Sequence, residues 1–345
     1  MDPRLQYATT SDNVSIAYWT LGEGIPLVIP PILVSSHDEL EWKIPSRRAA
    51  LERLSTIARI VRYDCRGMGM SQRESIDFSV EAAIRDLEAV VDRLGLEKFA
   101  ILRLPNSAEV PFAYSALHPE RVSHLVVWEG HTGDDRDSPR AEQVEAIEPV
   151  LERDWDLYVR IRARLMVGWD GSNAPILEDI LRATHTPASM RAMQAELNRA
   201  DAAPYLGQIK APTLVIYRIG LRQREEHARL FASRIANANL VSIREPSLGV
   251  YPNDTGIMTI RDFLTPGVST SFEPRLDMLG SGLRVILFTD LVQHTAMMQR
   301  LGDERGRAIL REHEVITREA LNAYGGSEVK TMGDSFMASF TSATR

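Results

Sequence analysis

Two aspartates in the last part of the sequence have types and positions that suit metal chemistry. Asp290 ends the apolar run RVILFT, and Asp334 lies at the tip of a predicted β-hairpin, between EVKTM and SFMASF. Two carboxylates brought together by strand pairing suit hard cations such as Mg²⁺, which also bind substrate phosphate oxygens. Two such ions can stabilise the attacking oxygen and the leaving group in phosphoryl transfer. Aspartate is also common in turns, so a purely structural role stays open.

The elements that must position these aspartates form a strand, a long helix and a hairpin. The strand begins at Leu283, and Gly325 and Gly326 stop the helix. Four residues with helical spacing share one face of that helix: Ile309, His313, Ile316 and Ala320. This pattern predicts that the two aspartates lie at the ends of neighbouring strands.

Short runs rich in Val, Ile and Leu recur earlier in the chain and predict buried parallel strands. They comprise residues 25–29, 58–63, 99–104, 122–128, 212–217 and 239–243. Helical segments alternate with them, most clearly Ser79–Leu94, which Gly95 stops. This alternation predicts an α/β fold with a doubly wound, mostly parallel sheet.

The strand pattern is interrupted between Glu129 and Leu206, where the sequence is helical. Such an insertion predicts a helical lid over the carboxyl edge of the sheet, where open α/β sheets bind ligands. Residues 265–282 contain turn formers and little periodicity, so we interpret them as a linker. The predicted domains are therefore residues 1–264 and 283–345.

The composition limits the binding partners and the cellular compartment that we expect. The chain has 345 residues and a net charge of −7, so no global basic field attracts nucleic acid or an anionic membrane. Cys65 is the only cysteine, which excludes an intrachain disulfide and favours a reducing compartment. The apolar runs are too short to span a bilayer, and the N-terminus has no signal-peptide core. We expect a cytoplasmic protein with neither nucleic-acid nor membrane partners.

Residues 5–264 resemble the α/β-hydrolase superfamily. The resemblance rests on RYDCRGMGMS (62–71), HPERVSHLVVWEG (118–130) and APTLVIY (211–217), in this order. It implies a G-x-S-x-G nucleophile elbow after the strand at 99–104. Counting back from HPERV puts Pro105 at the serine position. Proline has neither a nucleophilic oxygen nor a backbone N–H, so we expect this elbow to be inactive.

The other parts expected of a hydrolase site are also missing. Arg103 and Ser107 replace the two glycines of the elbow, and Pro30-Pro31 replaces the usual His-Gly of the oxyanion loop. No carboxylate follows APTLVIY until Glu225, and the segment REPSLGVYPND contains no histidine. A triad works as a unit. We therefore interpret residues 1–264 as a non-catalytic sensory or regulatory domain.

Some residues of this domain allow two interpretations. Ser107 is either a relocated nucleophile or, as we favour, a cap for the following helix together with Asn106. Cys65 is interpreted as a small buried residue rather than a nucleophile. Four large residues of the lid either line a cavity for a small-molecule ligand or, as we favour, pack the lid: Trp155, Tyr158, Met166 and Trp169.

Residues 284–340 resemble the N-terminal portion of the class III adenylate/guanylate cyclase catalytic domain, through LFTDLV and VKTMGDSFMASF. The resemblance implies a partial α+β, ferredoxin-like domain in which Asp290 and Asp334 bind two Mg²⁺ or Mn²⁺ ions. It assigns a metal-binding backbone carbonyl to Leu291, and Lys330 matches a purine-contacting lysine that favours ATP. The residues implied to cradle the triphosphate are Leu291, Val292, Gln293, His294 and Thr295. Gln293 departs from the family, which usually has glycine there.

The resemblance implies an adenylate cyclase-type signalling protein that makes cAMP and pyrophosphate. The ribose 3′-hydroxyl attacks the α-phosphorus of ATP, at a site that forms between the protomers of a homodimer. The family's transition-state Asn and Arg come later than Arg345, so we expect either a piece of a longer protein or a decayed cyclase. The alternatives are an esterase-like α/β-hydrolase and a non-catalytic ligand-binding scaffold.

Overall fold

The chain divides into two compact units, Met1–Val268 and Ser269–Arg345. We describe them in a computed structural model. It describes residues 3–105, 107, 109–129, 139–168, 173–219, 222–244, 250–266, 285–289, 294–323, 327–332 and 335–340. Most of the predicted linker lies outside these ranges, so the predicted domain boundaries stay predictions.

An eight-stranded sheet forms the centre of the first unit. Its strands are β1 (Gln6–Thr9), β2 (Ser15–Leu21), β3 (Pro26–Ile29), β4 (Arg59–Tyr63), β5 (Phe99–Arg103), β6 (Val122–Trp128), β7 (Thr213–Arg218) and β8 (Ala238–Ile243). The spatial order is β1-β2-β4-β3-β5-β6-β7-β8. The pairs β1–β2 and β2–β4 are antiparallel, and the other neighbours are parallel. The prediction of an α/β fold with a mostly parallel sheet is confirmed.

Helices cover both faces of this sheet. They are α1 (Asp38–Glu41), α2 (Pro45–Leu54), α3 (Val80–Arg93), α4 (Val110–Leu117), α10 (Arg222–Arg234) and α11 (Asp254–Leu264). Apolar residues of α3, α4 and α10 share one buried cluster with the sheet, and those of α2 and α11 share the other. Helix α3 begins where Ser79 accepts a hydrogen bond from the Ala82 N–H, and Gly95, with φ of 64°, follows its end.

Between β6 and β7 the chain forms only helices among its described residues. They are α5 (Pro139–Ile147), a 3₁₀ helix (Glu148–Val150), α6 (Trp155–Val167), α7 (Ala174–Thr184), α8 (Pro187–Arg199) and α9 (Ala203–Leu206). The apolar sides of α6, α7 and α8 pack on Leu33, after β3, and on Cys65 and Met68, after β4. These loops follow the carboxyl ends of parallel strands, so the predicted lid position is confirmed.

The large lid residues pack the lid itself. Tyr158 is buried in this cluster, Trp155 and Met166 pack against it, and the Trp155 and Tyr158 rings stack 5.6 Å apart. Trp169 lies outside the described residues. The favoured packing interpretation therefore holds for the three described residues.

The second unit contains β9 (Val285–Thr289), α12 (His294–Ala323), β10 (Ser327–Met332) and β11 (Ser335–Phe340). The strands form an antiparallel sheet in the order β10-β11-β9, and Gly302, with φ of 72°, interrupts α12. Ile309 and Ile316, on the predicted helix face, are exposed. The described residues of this unit have the order β-α-β-β. The ferredoxin-like domain stays a prediction. Among the described helices, none combines the length and apolarity needed to cross a membrane.

A glycine in α11 allows a predicted test of how tightly the first unit is packed. A Cβ atom at Gly256 would lie 2.5 Å from Cζ3 of Trp128, whereas one at Gly207 would meet no atom within 4 Å. Gly256→Ala should therefore lower the free energy of unfolding by about 1–3 kcal/mol in urea titrations, because overpacking strains a buried indole. Gly207→Ala is the matched control, expected to change it by less than about 0.5 kcal/mol. Equal effects of the two substitutions would contradict the packing described here.

Candidate functional site

Pro105 lies at the predicted elbow, between the end of β5 and the start of α4, and it is buried. Two residues further on, Ser107 forms an isolated bridge with Ile32, and its N–H donates to the Leu104 carbonyl over 3.2 Å. The Ser107 hydroxyl is buried and makes no hydrogen bond to the described residues. The elbow therefore presents a proline ring where a hydrolase presents its nucleophile.

The prediction that Ser107 caps α4 is wrong. Helix α4 starts at Val110, its N-cap is Glu109, and the Glu109 side chain makes no capping hydrogen bond. Ser107 is three residues before the first helical position, too far to act as N-cap. Asn106 lies outside the described residues.

A buried ion pair underlies the elbow. Arg103, which replaces the first elbow glycine, is fully buried, and its Nη2 atom lies 3.9 Å from Oε1 of Glu109. Its guanidinium also lies 5.0 Å from the centre of the Phe112 ring. Burial lowers the pKa of Arg103 and raises the pKa of Glu109. Mutual pairing offsets part of the cost of burying both charges.

A second buried pair occupies the position expected for the catalytic acid. Arg218 ends β7, and its Nε and Nη2 atoms bind Oε1 and Oε2 of Glu129, the residue that follows β6. Glu129 has a φ of 50°, in the left-handed region, and its N–H donates to the Ile216 carbonyl over 2.9 Å. The region where a triad would need a free carboxylate thus holds an arginine and its bound partner. Residues 245–249, in the segment searched for a histidine, lie outside the described residues.

A third arginine fixes the loop that follows β3. Arg62 of β4 donates to the carbonyl oxygens of Ile29 and Pro30, over 3.3 and 3.2 Å, and to Oε2 of Glu41 over 2.6 Å. Arg47 donates to the other oxygen of Glu41 over 2.5 Å. This is the loop where a hydrolase forms its oxyanion hole. Here its carbonyl oxygens point to a guanidinium.

The end of α7 fastens the lid to the same region. Thr184 donates to the Ser36 carbonyl over 3.1 Å, and the His185 Nε2 atom lies 3.2 Å from the Leu33 carbonyl oxygen. Arg73 donates to the Thr184 carbonyl over 2.8 Å and also to that of Ala183. A cation at the carboxyl end of a helix also stabilises its dipole. The lid is therefore closed in this structure.

One small cavity lies beside the loop after β3, among the described residues. A cavity lined by residues that include Pro30, Pro31 and Val110 has a volume of about 20 Å³, room for about one water molecule. Cys65 also lines it, and burial raises the pKa of its thiol, consistent with the expected role as an unreactive buried residue. This cavity does not accommodate an ester substrate.

In the second unit, strand register brings together the residues next to the two predicted metal ligands. Thr289, the last residue of β9, pairs with Phe336 of β11, and β11 begins one residue earlier, at Ser335. In the chain, Asp290 directly follows Thr289 and Asp334 directly precedes Ser335. The two predicted ligands are thus next in sequence to residues one register step apart on paired strands.

The other predicted cyclase residues are placed in part. Lys330 lies in β10 opposite Met337, just after an irregularity between Glu328 and Lys330, and His294 and Thr295 begin α12. Five residues lie outside the described ranges: Asp290, Leu291, Val292, Gln293 and Asp334. Within the described part of the chain, no cluster of three or more His, Cys, Asp or Glu residues could hold a metal ion.

Known structures similar to this chain are α/β hydrolases over most of its length. A hydrolase from Pseudomonas aeruginosa PA01 covers 76% of this chain and 97% of its own, with a TM-score of 0.59 and 21% identity. An α/β hydrolase from Sphaerobacter thermophilus covers 75% and 100%, with a TM-score of 0.56 and 22% identity. A thermophilic esterase from Thermogutta terrifontis covers 76% and 98%, with a TM-score of 0.59 and 22% identity. These likenesses define the fold of most of the chain as that of the α/β hydrolases.

A shorter similarity involves nucleotide cyclases. Adenylate cyclases from Podospora anserina and Lachancea kluyveri are each 41% identical to this chain over 64 residues, which is 19% of this chain. The chain spans 3% of the length of these curated relatives. No family model matches the chain.

The sequence motifs identified neither the buried ion pairs of the strand arginines nor the contact made by His185. One signal was present in the sequence: Arg62, Arg103 and Arg218 each lie within or at the end of an otherwise apolar strand. Arginine in such a run indicates a buried carboxylate partner, because it stays charged. No local signal identified His185, whose partner Leu33 is 152 residues away in sequence.

The burial of His185 predicts that the free energy of unfolding of the first unit falls in acid. Burial lowers the pKa of His185 to about 3 in the folded protein, whereas an unfolded histidine has a pKa of about 6.5. The unfolded state therefore binds more protons below pH 6.5, and stability falls as the pH drops toward 3. Between pH 7 and 5 this histidine should cost the wild type about 2 kcal/mol of unfolding free energy, a cost that His185→Gln removes.

Urea titrations of wild type and variant at pH 7 and pH 5 measure this difference. Arg191→Gln, which removes an exposed ion pair with Glu152 in the lid, is the control and should retain the wild-type pH dependence. If His185→Gln loses as much stability on acidification as the wild type, another group is responsible.

Proposed function

We propose that this protein is an adenylate cyclase-type signalling protein in which the hydrolase-like unit senses or regulates and the second unit supplies metal and ATP binding. The observation that carries the proposal is the register of β9 and β11, which sets Thr289 one step from Ser335. The residues next to them in sequence are Asp290 and Asp334. The 41% identity to two fungal adenylate cyclases over 64 residues also supports it.

The donor set fits hard divalent cations. Carboxylates and a backbone carbonyl, here assigned to Asp290, Asp334 and Leu291, are oxygen ligands that Mg²⁺ and Mn²⁺ accept. When bound, the two ions would stabilise charge on the attacking 3′-oxygen and on the pyrophosphate leaving group of ATP. In this proposal residues 291–295 hold the triphosphate and Lys330 contacts the adenine. The 3′-oxygen forms a new bond to the α-phosphorus, and the bond from that phosphorus to the pyrophosphate leaving group breaks.

The first unit supports a non-catalytic role. Pro105 replaces the nucleophile, and Arg218 with Glu129 fills the region of the catalytic acid. The alternative, an esterase, is supported by the hydrolase fold and by the buried hydroxyl of Ser107, which lacks a hydrogen bond to the described residues. We favour the regulatory role because the cavity beside Pro30 has a volume of only about 20 Å³. We also propose a cytoplasmic location and a homodimer through the second unit.

Metal binding tests the proposal without requiring turnover. Asp290→Ala and Asp334→Ala should each weaken Mn²⁺ binding in the presence of ATP by at least about tenfold. Substitution of a residue that only orients a metal ligand already costs about this much, so loss of a ligand should cost no less. Titration of the paramagnetic Mn²⁺ signal measures this affinity. Glu304→Ala, which removes an exposed carboxylate from α12, is the control and should bind Mn²⁺ like the wild type.

Turnover is a second test of the same proposal. The protein should form cAMP from ATP with Mn²⁺, and Asp290→Ala should abolish this activity. Unchanged Mn²⁺ affinity in both aspartate variants, together with no cAMP formation by the wild type, would refute the cyclase proposal.

Ester hydrolysis tests the role of the first unit. We expect p-nitrophenyl esters of short and medium acyl chains to be hydrolysed no faster by the wild type than by Ser107→Ala, because Pro105 leaves no activated nucleophile. A colorimetric assay at neutral pH measures the rate. Wild-type hydrolysis that falls about 10³-fold or more in Ser107→Ala would instead support an esterase with a relocated nucleophile.

A further inference from the structure

A cluster of buried charged side chains beside the loop after β3 contains more acids than bases. Its five members are 0–8% exposed: Asp38, Glu41, Arg47, Arg62 and Asp64. His37, next to Asp38 in sequence, is also buried, and its Nδ1 atom accepts the Leu40 N–H over 3.3 Å. Three carboxyl groups share the two guanidinium groups of this cluster. An isolated buried charge is costly, so the carboxyl group with the weakest donors is the one whose neutral form is favoured.

Two of the three carboxylates have strong donors. Glu41 is bound by Arg47 over 2.5 Å and by Arg62 over 2.6 Å. Asp64 accepts hydrogen bonds from the N–H groups of Met70 and Asp38, over 2.9 and 3.2 Å, and from the Ser36 hydroxyl over 3.1 Å. Donors of this kind stabilise the ionised form of a carboxyl group.

Asp38 lacks comparable donors. It is 5% exposed, no backbone N–H and no guanidinium donates a hydrogen bond to its carboxyl oxygens among the described residues, and the donor that faces them is the neutral indole N–H of Trp19. Its contact with Arg62 is 3.7 Å, from Nε to Oδ1, which is too long for a hydrogen bond. Asp38 is therefore the carboxyl group whose charge the cluster stabilises least.

We propose that Asp38 binds a proton in the folded protein at neutral pH and makes the loop between β3 and α1 a pH-sensitive element of the first unit. The assignment does not depend on the cyclase proposal. The titratable and charged groups that act on Asp38 come from several elements: Arg62 of β4, Asp64 after β4 and Glu41 of α1. The indole of Trp19 in β2 also faces it, and Tyr251 contacts Glu41 over 3.4 Å.

The direction of the pH effect follows from the environment. Burial, and after it the nearby charge of Asp64, raise the pKa of Asp38 well above its usual range. An aspartate in the unfolded chain has a pKa of about 3.9. Above this pH, unfolding therefore releases the proton that Asp38 holds in the folded protein. Stability from this group therefore falls as the pH rises, until the folded-state pKa is reached. Above the folded-state pKa, ionised Asp38 adds a third buried negative charge to those of Glu41 and Asp64.

Asp38→Asn tests the proposal, because the amide resembles the protonated acid and does not titrate. The unfolding constant of the wild type, divided by that of Asp38→Asn, should rise about tenfold per pH unit from pH 5 to pH 7 in urea titrations. The control is Asp64→Asn, which replaces the acceptor of three groups. That variant should be less stable than the wild type at both pH values. A ratio for Asp38→Asn that stays constant between pH 5 and pH 7 would overturn the proposal.

A measurement on the wild type covers the case in which Asp38→Asn does not fold. With ¹³C label at the aspartate carboxyl carbons and sequential assignment, the Asp38 signal should titrate well above the range near pH 4 in which exposed aspartates titrate. Glu41→Gln should shift the Asp38 titration to lower pH, because one acid fewer surrounds Asp38. If the Asp38 signal titrates below pH 5, the proposal is wrong.

Discussion

Buried arginines at the carboxyl ends of the strands constrain the rest of the first unit. Arg62, Arg103 and Arg218 are at most 3% exposed. A guanidinium stays charged inside a protein, and leaving it unpaired costs several kcal/mol. Each therefore requires a carboxylate from another segment: Glu41 from α1, Glu109 from before α4 and Glu129 from after β6. These requirements hold together the loops on the edge where open α/β sheets bind ligands.

The ion pairs among the described residues of this edge differ from what the ester chemistry of α/β hydrolases uses. That chemistry needs an activated hydroxyl, free N–H donors and room for a tetrahedral intermediate. Here Pro105 lacks an N–H, and Arg62 binds the carbonyl oxygens of Ile29 and Pro30. The contacts of Thr184 and His185 with the same loop also hold the lid closed. The described residues thus combine a fold like that of α/β hydrolases with buried ion pairs at this edge of the sheet.

Local patterns predicted most of the fold, because parallel strands, amphipathic helices and glycine stops depend on residues that are close together in sequence. These patterns predicted β3 to β8, α3 and the helical insertion after β6, but not β1 and β2. Partners far apart in sequence were not predictable in this way. Arg218 and Glu129 are 89 residues apart, and nothing near either residue identifies the other. The start of α4 was misjudged because Ser107 is a good N-cap residue, whereas the helix begins only at Val110.

In the second unit, the position of Thr289 near the start of β11 depends on strand register rather than on any single contact. Five consecutive pairs, from Val285 with Phe340 to Thr289 with Phe336, fix β9 against β11. A slip of one residue would reverse the faces of β9 and move Thr289 away from the start of β11. The irregularity between Glu328 and Lys330 absorbs one extra residue in β10, so that Met332 still pairs with Ser335. A substitution that shifts the β9–β11 register would move Thr289, which precedes Asp290, away from Ser335, which follows Asp334.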